Sequence, residues 1–285
     1  MSEWLTENEA LVRLSMFIGV FAVMASWELA APRRALSVPK PRRWAGNLGI
    51  VVLNTVLLRV LFPTAAAGVA LAAEMNGWGL LRQIELAPWL VFPLSVVILD
   101  AAIYLQHVMF HAVPLLWRLH RVHHADLDFD VTTGARFHPI EIILSMLIKF
   151  AVIVVLGPPV AAVILFEVLL NATAMFNHSN VCLPLPVDRL LRWLVVTPDM
   201  HRVHHSVEDD ETNCNFGFNL PWWDRMCGTY RDQPRGGHEA MTIGLRRLRD
   251  PQRCNTLPAM LLLPFSEPVS GYVINRRQWE DESAE

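Results

Sequence analysis

The sequence predicts an all-α integral membrane protein, in which a transmembrane helix bundle with a helical hairpin carries a histidine-rich helical cap on the cytoplasmic side. Hydrophobic residues make up 53% of the 285 residues and charged residues only 18%, which is too apolar for a soluble domain of this size. Several apolar runs approach the roughly 20 residues that cross a bilayer. Closely spaced histidine motifs follow these runs along the chain.

Four apolar regions predict the membrane helices. They lie at residues 11–31, 48–73, 87–106 and 140–176. Gly157-Pro158-Pro159 interrupts the fourth region, and because proline removes a backbone donor and prevents one continuous helix, the region predicts a hairpin. Each arm has about 17 residues, enough to span a thin bilayer or to enter and leave by one face. A further apolar stretch at 257–265 is too short to span and predicts an interfacial or cap-packing element.

A short basic loop predicts the orientation. Residues 32–43 hold four arginines and Lys40, and the positive-inside rule places such a loop in the cytoplasm. Counting crossings onward puts residues 74–86 outside and every histidine motif on the cytoplasmic face. The chain opens with acidic Glu3 and Glu7 rather than a basic signal region, so we expect the first apolar run to stay in the mature protein.

Composition excludes several classes of protein. The net charge of -3 and the lack of a basic stripe argue against a nucleic-acid partner. The four cysteines show no CxxC spacing, so they indicate neither a zinc ribbon nor a disulfide framework, and we expect free thiols. No repeat or linker divides the chain. We therefore expect one domain over residues 1–285, with a metal-site core at about 100–230.

Histidines carry the strongest chemical signal. Eight of the eleven fall in three motifs, which are His107-x3-His111, His120-x2-His123-His124 and His201-x2-His204-His205. On a helix, positions i, i+3 and i+4 lie within roughly 100° of one another, so each HxxHH directs three imidazoles to one side and can serve one metal or bridge two. Crowding imidazoles beside a membrane costs desolvation energy unless a cation organises them. The motifs therefore predict metal ligands.

The residue types narrow the metal and leave alternatives. Imidazole suits iron, zinc and copper, and the lack of cysteine in the motifs argues against structural zinc. The chain contains neither the HExxH of zinc proteases nor the ExxH of soluble carboxylate-bridged di-iron bundles. Three alternatives stay open: a membrane haem-binding electron-transfer protein, a zinc-dependent lipid hydrolase on the same histidine cage, and a non-catalytic scaffold.

Two polar stripes continue from the histidines into the membrane helices. Asp100 and Tyr104 precede His107 at helical spacing, and Glu167 and Asn171 precede His178 in the same way. Carboxylates in a bilayer need partners. One interpretation is that Arg59 pairs with Asp100 or Glu167 and holds the helices in register. The other is that Asp100, Glu167 or Asn171 orients a metal-binding imidazole.

The order of these motifs resembles the fatty acid hydroxylase and sterol desaturase superfamily, in its bacterial form. The motifs after the first two histidine boxes are Asn177-His178-Ser179-Asn180, the third box, Asn215-Phe216-Gly217, Trp223-Asp224-Arg225 and Gly228-Thr229-Tyr230. The stretch Arg136-Phe137-His138-Pro139-Ile140-Glu141 and the residues Thr197-Pro198-Asp199-Met200 also resemble bacterial members. The resemblance covers about residues 100–230 and is specific in both order and spacing.

The resemblance implies a membrane enzyme of the bacterial inner membrane, in which two non-haem irons use O2 to hydroxylate or desaturate a lipid such as a sterol or fatty acyl chain. The implied ligands are His107, His111, His120, His123, His124, His178, His201, His204 and His205, with His138 as a further candidate. No haem-binding domain is recognisable in the sequence, so we expect electrons from a separate reductase with a ferredoxin or small cytochrome.

Overall fold

The computed structural model describes Trp4 and residues 8–266, and this part of the chain is helical without strands. Glu3 and Glu7 lie outside the described residues. The main helices are α1 (Glu9–Ala30), α2 (Lys40–Leu61), α3 (Ala65–Met75), α4 (Pro88–Ala112), α5 (Pro114–His124), α6 (Pro139–Leu156), α7 (Val160–Asn177), α8 (Leu185–Leu191), α9 (Pro198–His204), α10 (Trp222–Cys227) and α11 (Leu257–Ser266). Single helical turns lie at Leu80–Arg82, Thr133–Ala135, Asp209–Thr212, Gly237–Ala240 and Pro251–Cys254.

Within the described residues, five stretches are long and apolar enough to cross a membrane, which confirms the prediction of a membrane helix bundle. They are Glu9–Ala30, Lys40–Arg82, Pro88–Ala112, Pro139–Leu156 and Val160–Asn177. The predicted hairpin is present as α6 and α7, whose arms of 18 residues each extend about 27 Å. Gly157 ends α6 in the left-handed conformation, at φ 66°. A side chain there would collide with the carbonyl of Trp78, so glycine is required at this turn.

The sequence predicted one helix for the second apolar region, but in the structure this region is divided between two helices. α2 begins at Lys40, eight residues before the apolar run, and ends at Leu61. Phe62 leaves the helical region with φ -132° and ψ 68°, because the residue before a proline is pushed out of the α conformation. The chain resumes as α3 and crosses the bundle as a broken span.

The histidine-bearing cap lies at one end of the bundle, and the spans alternately run toward it and away from it. The end of α1 meets the end of α7, where Arg33 donates from its backbone N–H to the carbonyl of Asn180 at 2.8 Å. At the opposite end of the bundle, Gly79 packs against Gly157. Between these ends, α3, α4, α6 and α7 enclose an apolar core that includes Ala70, Leu99 and Phe166. One end of every span therefore lies beside the cap, and the other end lies on the side of Gly79 and Gly157.

A buried ionic cluster ties the cap to the first turn of α2. Arg43 is fully buried and donates to Asp126 from Nε and Nη2, at 2.8 Å each, and to Asp130 at 2.6 Å. Burial alone would raise the pKa of Asp126, but the charge and hydrogen bonds of Arg43 hold it well below its usual range. Arg43 of the basic loop therefore has a structural role, because it holds residues 126–133 in place.

The expected role of Arg59 is wrong, because its side chain is exposed. Glu167 instead pairs with Lys149 of α6 at 2.8 Å and with Arg13 of α1 at 3.0 Å. Asp100 accepts hydrogen bonds from the Trp223 indole at 2.8 Å and the Leu220 backbone at 3.2 Å. Each carboxylate therefore joins separate parts of the fold, with partners that lie far away in sequence.

Candidate metal centre

Nine buried imidazoles converge where the spans meet the cap. They separate into two groups, within each of which one nitrogen per ring lies within 4.8 Å of the others. The first group is His107, His111, His120, His124 and His204, and the second is His123, His178, His201 and His205. The structure thus brings together all nine histidines that the sequence and the resemblance proposed as ligands.

The two HxxHH motifs divide between the groups in opposite ways. On α5, His120 and His124 turn to the first group and His123 to the second. In the third box, at the end of α9, His201 and His205 belong to the second group and His204 to the first. Each motif therefore contributes to both groups, which is the bridging arrangement that the helical spacing left open.

Hydrogen bonds fix the tautomers in the first group. The Nδ1 atoms of His107 and His204 lie 2.8 and 2.7 Å from the carbonyl oxygens of Phe216 and Cys214. A carbonyl only accepts, so each Nδ1 carries the proton and each Nε2 presents a lone pair. These two Nε2 atoms are 3.1 Å apart. Facing lone pairs repel at this distance unless a cation binds both.

The second group repeats this arrangement around His178. Its Nδ1 donates to the carbonyl of Ala174 at 2.7 Å, so its Nε2 presents a lone pair. That atom lies 3.1 Å from Nε2 of His123 and 3.0 Å from Nε2 of His201. Two ligands at right angles on a metal with bonds of about 2.1 Å would lie about 3.0 Å apart. The donors and spacings of both groups therefore fit metal ions.

Burial keeps the imidazoles in the form that binds metals. It lowers the pKa of His120 and of His178 to about 3, because a charged ring loses its hydration in the interior. In addition, both ring nitrogens of His124 and of His205 are buried without a hydrogen-bond partner among the described residues. Buried nitrogens of this kind are costly unless a bound group satisfies them.

One carboxylate contacts the cluster, and the sequence argument overlooked it. Oε1 of Glu141, in the first turn of α6, lies 2.6 Å from Nδ1 of His120, and both side chains are buried. His120 donates to this oxygen and so turns its Nε2 toward His107, at 3.1 Å. The sequence held one signal for this contact. Glu141 lies three residues after His138, so the two side chains face the same side of a helix that begins beside the histidine boxes.

A second support reaches His107 through the main chain. The carboxylate of Asp224 accepts hydrogen bonds from the backbone N–H groups of Phe216 and Gly217, both at 2.8 Å, and from the hydroxyl of Thr229 at 2.7 Å. These bonds hold the Phe216 carbonyl against His107. These contacts join two sequence motifs, Asn215-Phe216-Gly217 and Trp223-Asp224-Arg225. Together the two motifs fix the position of His107.

Comparison with known proteins agrees with this centre. The family model of the fatty acid hydroxylases matches residues 92–229, the segment that supplies all nine imidazoles. This segment, slightly less than half of the chain, carries the similarity to the fatty acid hydroxylase family. No solved structure shows significant similarity to the chain.

Three relatives illustrate the range of this superfamily. The chain is 31% identical over 143 residues to an ornithine lipid hydroxylase of Rhizobium tropici, which covers 50% of the chain and 42% of that protein. It is 31% identical over 190 residues to an alkylglycerol monooxygenase of Xenopus tropicalis, covering 65% and 41%. It is 26% identical over 235 residues to a sterol desaturase of Aspergillus fumigatus, covering 76% and 66%. The chain spans less than half of the length of the first two relatives.

Four other predicted site residues lie outside the two imidazole groups. His138 caps the start of α6, where its Nδ1 accepts from the backbone of Ile140 at 3.2 Å, and its Nε2 lies 3.3 Å from the carbonyl of Leu261. Asn171 donates to the Glu167 backbone carbonyl at 2.8 Å. The contacts of Asp100 and Glu167 described above are with a tryptophan, a backbone amide and two cations. The contact between a carboxylate and an imidazole comes from Glu141 instead.

Two phenylalanines separate the imidazoles from the membrane core. The Phe137 ring stacks on His123 with centroids 4.5 Å apart and planes at 11°. Phe218 lies edge-on to His107 at 5.2 Å and at 6.0 Å from His201. Both rings also pack against the apolar cluster inside the bundle. The imidazoles therefore face an apolar surface that continues into the spanning helices.

Proposed function

We propose that the chain is a membrane-bound non-haem di-iron oxidoreductase that uses O2 to hydroxylate or desaturate a C–H bond of a lipid. The observation that carries the proposal is the convergence of buried Nε2 lone pairs in two adjacent groups of imidazoles. The relatives support the class of substrate, because their names specify ornithine lipid, alkylglycerol and sterol.

The proposed ligands are the nine histidines of the two groups, one group for each iron. When bound, the irons would supply the activation of O2 and the oxidising power that an unactivated C–H bond requires. The chain holds the imidazoles neutral, turns His120 through Glu141 and fixes His107 through the Phe216 carbonyl. Such fixed outer contacts raise ligand basicity and orient the rings.

The chain also supplies a dry approach for the substrate. Phe137 and Phe218 cover the side of the imidazoles that faces the bundle core, so a lipid carbon would reach the irons past these rings without crossing water. The position of the substrate carbon decides whether one hydrogen or two are removed, and thus whether the product is hydroxylated or desaturated.

The site geometry argues against the haem alternative. A bis-histidine haem places its two axial nitrogens on opposite faces of a porphyrin ring, with the ring between them. Here the Nε2 atoms of neighbouring histidines are 3.0–3.1 Å apart and nine imidazoles fill the space, which leaves no room for a porphyrin. A zinc hydrolase would use the same nitrogens and is distinguished by its independence from O2.

The cellular setting is part of the proposal. Because the basic loop at 32–43 lies on the cap side of the bundle, the positive-inside rule supports a cytoplasmic metal centre in a bacterial inner membrane. Electrons would come from a separate reductase with a ferredoxin or small cytochrome. The apolar side chains between the imidazoles and the bundle core favour a membrane lipid as the other partner.

Lipid analysis of the native host with and without the gene, grown under 18O2, tests the proposal. We expect one lipid class to lose either an 18O-labelled hydroxyl or a double bond when the gene is removed. Restoration with the His123→Ala variant should fail, since this substitution removes one imidazole from the second group. An unchanged lipid profile, or a product that still forms without oxygen, would overturn the proposal, and the latter result would support the hydrolase.

A further inference from the structure

Helix α8 in the cap and the turn that follows it, residues 192–194, have their polar side inward and their apolar side outward. Asp188 and Arg192 are buried and form an ion pair at 2.6 Å. Leu190, Trp193 and Leu194 point outward with exposed fractions of 68%, 60% and 62%. A surface helix in water has the opposite arrangement, because burial of apolar side chains stabilises the fold.

Helix α10 repeats this inverted pattern beside α8. Asp224 is fully buried, whereas Trp222 and Met226 are exposed by 41% and 75%. The Trp222 indole donates to the carbonyl of Trp193 at 2.8 Å, and the Arg225 guanidinium lies 4.0 Å from the centre of the Trp193 ring. The two apolar faces therefore form one continuous surface, here called the α8–α10 face, made of Leu190, Trp193, Leu194, Trp222 and Met226.

The α8–α10 face adjoins the membrane-spanning part of the bundle. Trp223, next to Trp222, donates its indole N–H to Asp100 at 2.8 Å. Asp100 lies in the middle of the α4 span, about 18 Å along the helix from its cap-side end. Helix α10 therefore packs on the side of α4 that carries Asp100, at the level of the span rather than beyond its end. The α8–α10 face therefore lies next to the cap-side half of an apolar helix that is long enough to span a membrane.

We propose that the α8–α10 face is embedded in the cap-side leaflet, as a monotopic membrane surface additional to the five spans. Its composition fits the boundary between headgroups and acyl chains, where tryptophan is enriched and arginines reach the phosphates. Arg189 is exposed on α8 and Arg225 flanks the tryptophans, so cations are present at the edge of the face. The partner is the bilayer itself, and the assignment does not depend on the metal or on the reaction.

Spin labels on single accessible cysteines test this assignment in the full-length protein in nanodiscs of phosphatidylcholine and phosphatidylglycerol. The exposed Cys182 and Cys227 would be replaced by serine. Labels would then be placed by Met226→Cys, by Leu194→Cys and, as a control, by Arg235→Cys, whose native side chain is 64% exposed in the cap. Collision rates with apolar O2 and with a water-soluble nickel chelate report the surroundings of each label.

We expect the labels at 226 and 194 to collide preferentially with O2, and the label at 235 to collide preferentially with the nickel chelate. If all three labels behave alike and favour the nickel chelate, the α8–α10 face lies in water and the assignment is wrong. If the labels at 226 and 194 are shielded from both reagents, a protein covers the face, which also overturns the assignment. Neither result would affect the proposed function, which is tested by the lipid product.

Discussion

Replacement of Glu141 by glutamine should weaken metal binding without removing a ligand. The contact between Glu141 Oε1 and His120 Nδ1 is 2.6 Å long and buried on both sides, the geometry of a hydrogen bond to a charged acceptor. Glutamine preserves the shape and an acceptor oxygen, but an amide oxygen is a weaker acceptor than a carboxylate oxygen. Loss of such an outer contact lowers metal affinity by about 10- to 100-fold, equivalent to about 1.4–2.8 kcal/mol.

Asp100→Asn is the matched control. It makes the same change from carboxylate to amide at a buried position, but its contacts are with Trp223 and Leu220 rather than with an imidazole. Purified variants would be titrated with an iron chelator, and the iron retained per chain would be measured at each concentration. We expect Glu141→Gln to release iron at about 10- to 100-fold lower chelator activity, and Asp100→Asn to follow the wild type. Equal retention by Glu141→Gln and the wild type, or equal loss in both variants, would refute the reasoning.

Three further substitutions test the supports of the centre. Gly134→Ala should lower both iron content and melting temperature, because the new Cβ would lie 2.5 Å from a carbonyl oxygen of α7 and 3.1 Å from Nδ1 of His178. The control is Gly19→Ala, whose new Cβ would meet nothing within 4 Å. Equal effects of the two substitutions would show that crowding at Gly134 is unimportant. Asp224→Asn should destabilise the fold by about 1–3 kcal/mol, since the amide cannot accept all three bonds of the carboxylate, and an unchanged melting temperature would contradict this. Asp126 has a depressed pKa in the folded state, so its stabilisation is complete above its unfolded pKa of about 4 and is lost as the pH falls through the folded value. Between pH 3 and 7, the melting temperature should fall less steeply with decreasing pH in Asp126→Asn than in the wild type. Parallel curves would show that the ionised Asp126 does not contribute to stability.

Local patterns were sufficient to predict the spans, the hairpin and the set of clustered histidines. Run length predicts a span because the bilayer fixes the length of helix that crosses it. The helical spacing of the HxxHH motifs brings imidazoles to one side of a helix without help from the rest of the chain. For the same reason, the sequence could not divide each motif between two groups, since that division depends on how α5 and α9 pack against each other.

Long-range pairing was the part that the sequence could not supply. Because Arg59 lies in an apolar run, we expected it to pair with a buried carboxylate. Its position around the α2 axis instead leaves its side chain exposed. Lys149 and Arg13 satisfy Glu167 from two other helices. The break in the second span was visible as Pro63, whose effect on Phe62 follows from local sterics. The role of Glu141 required the packing of α6 against α5, which periodicity does not specify.

The number of irons per chain tests the central claim most directly. Protein expressed with 57Fe and purified without chelators would be analysed for iron and protein together with its Mössbauer spectrum. The two groups of imidazoles predict two irons per chain in non-haem, nitrogen-rich sites. Fully active protein with one iron per chain, or with haem iron, would contradict the account.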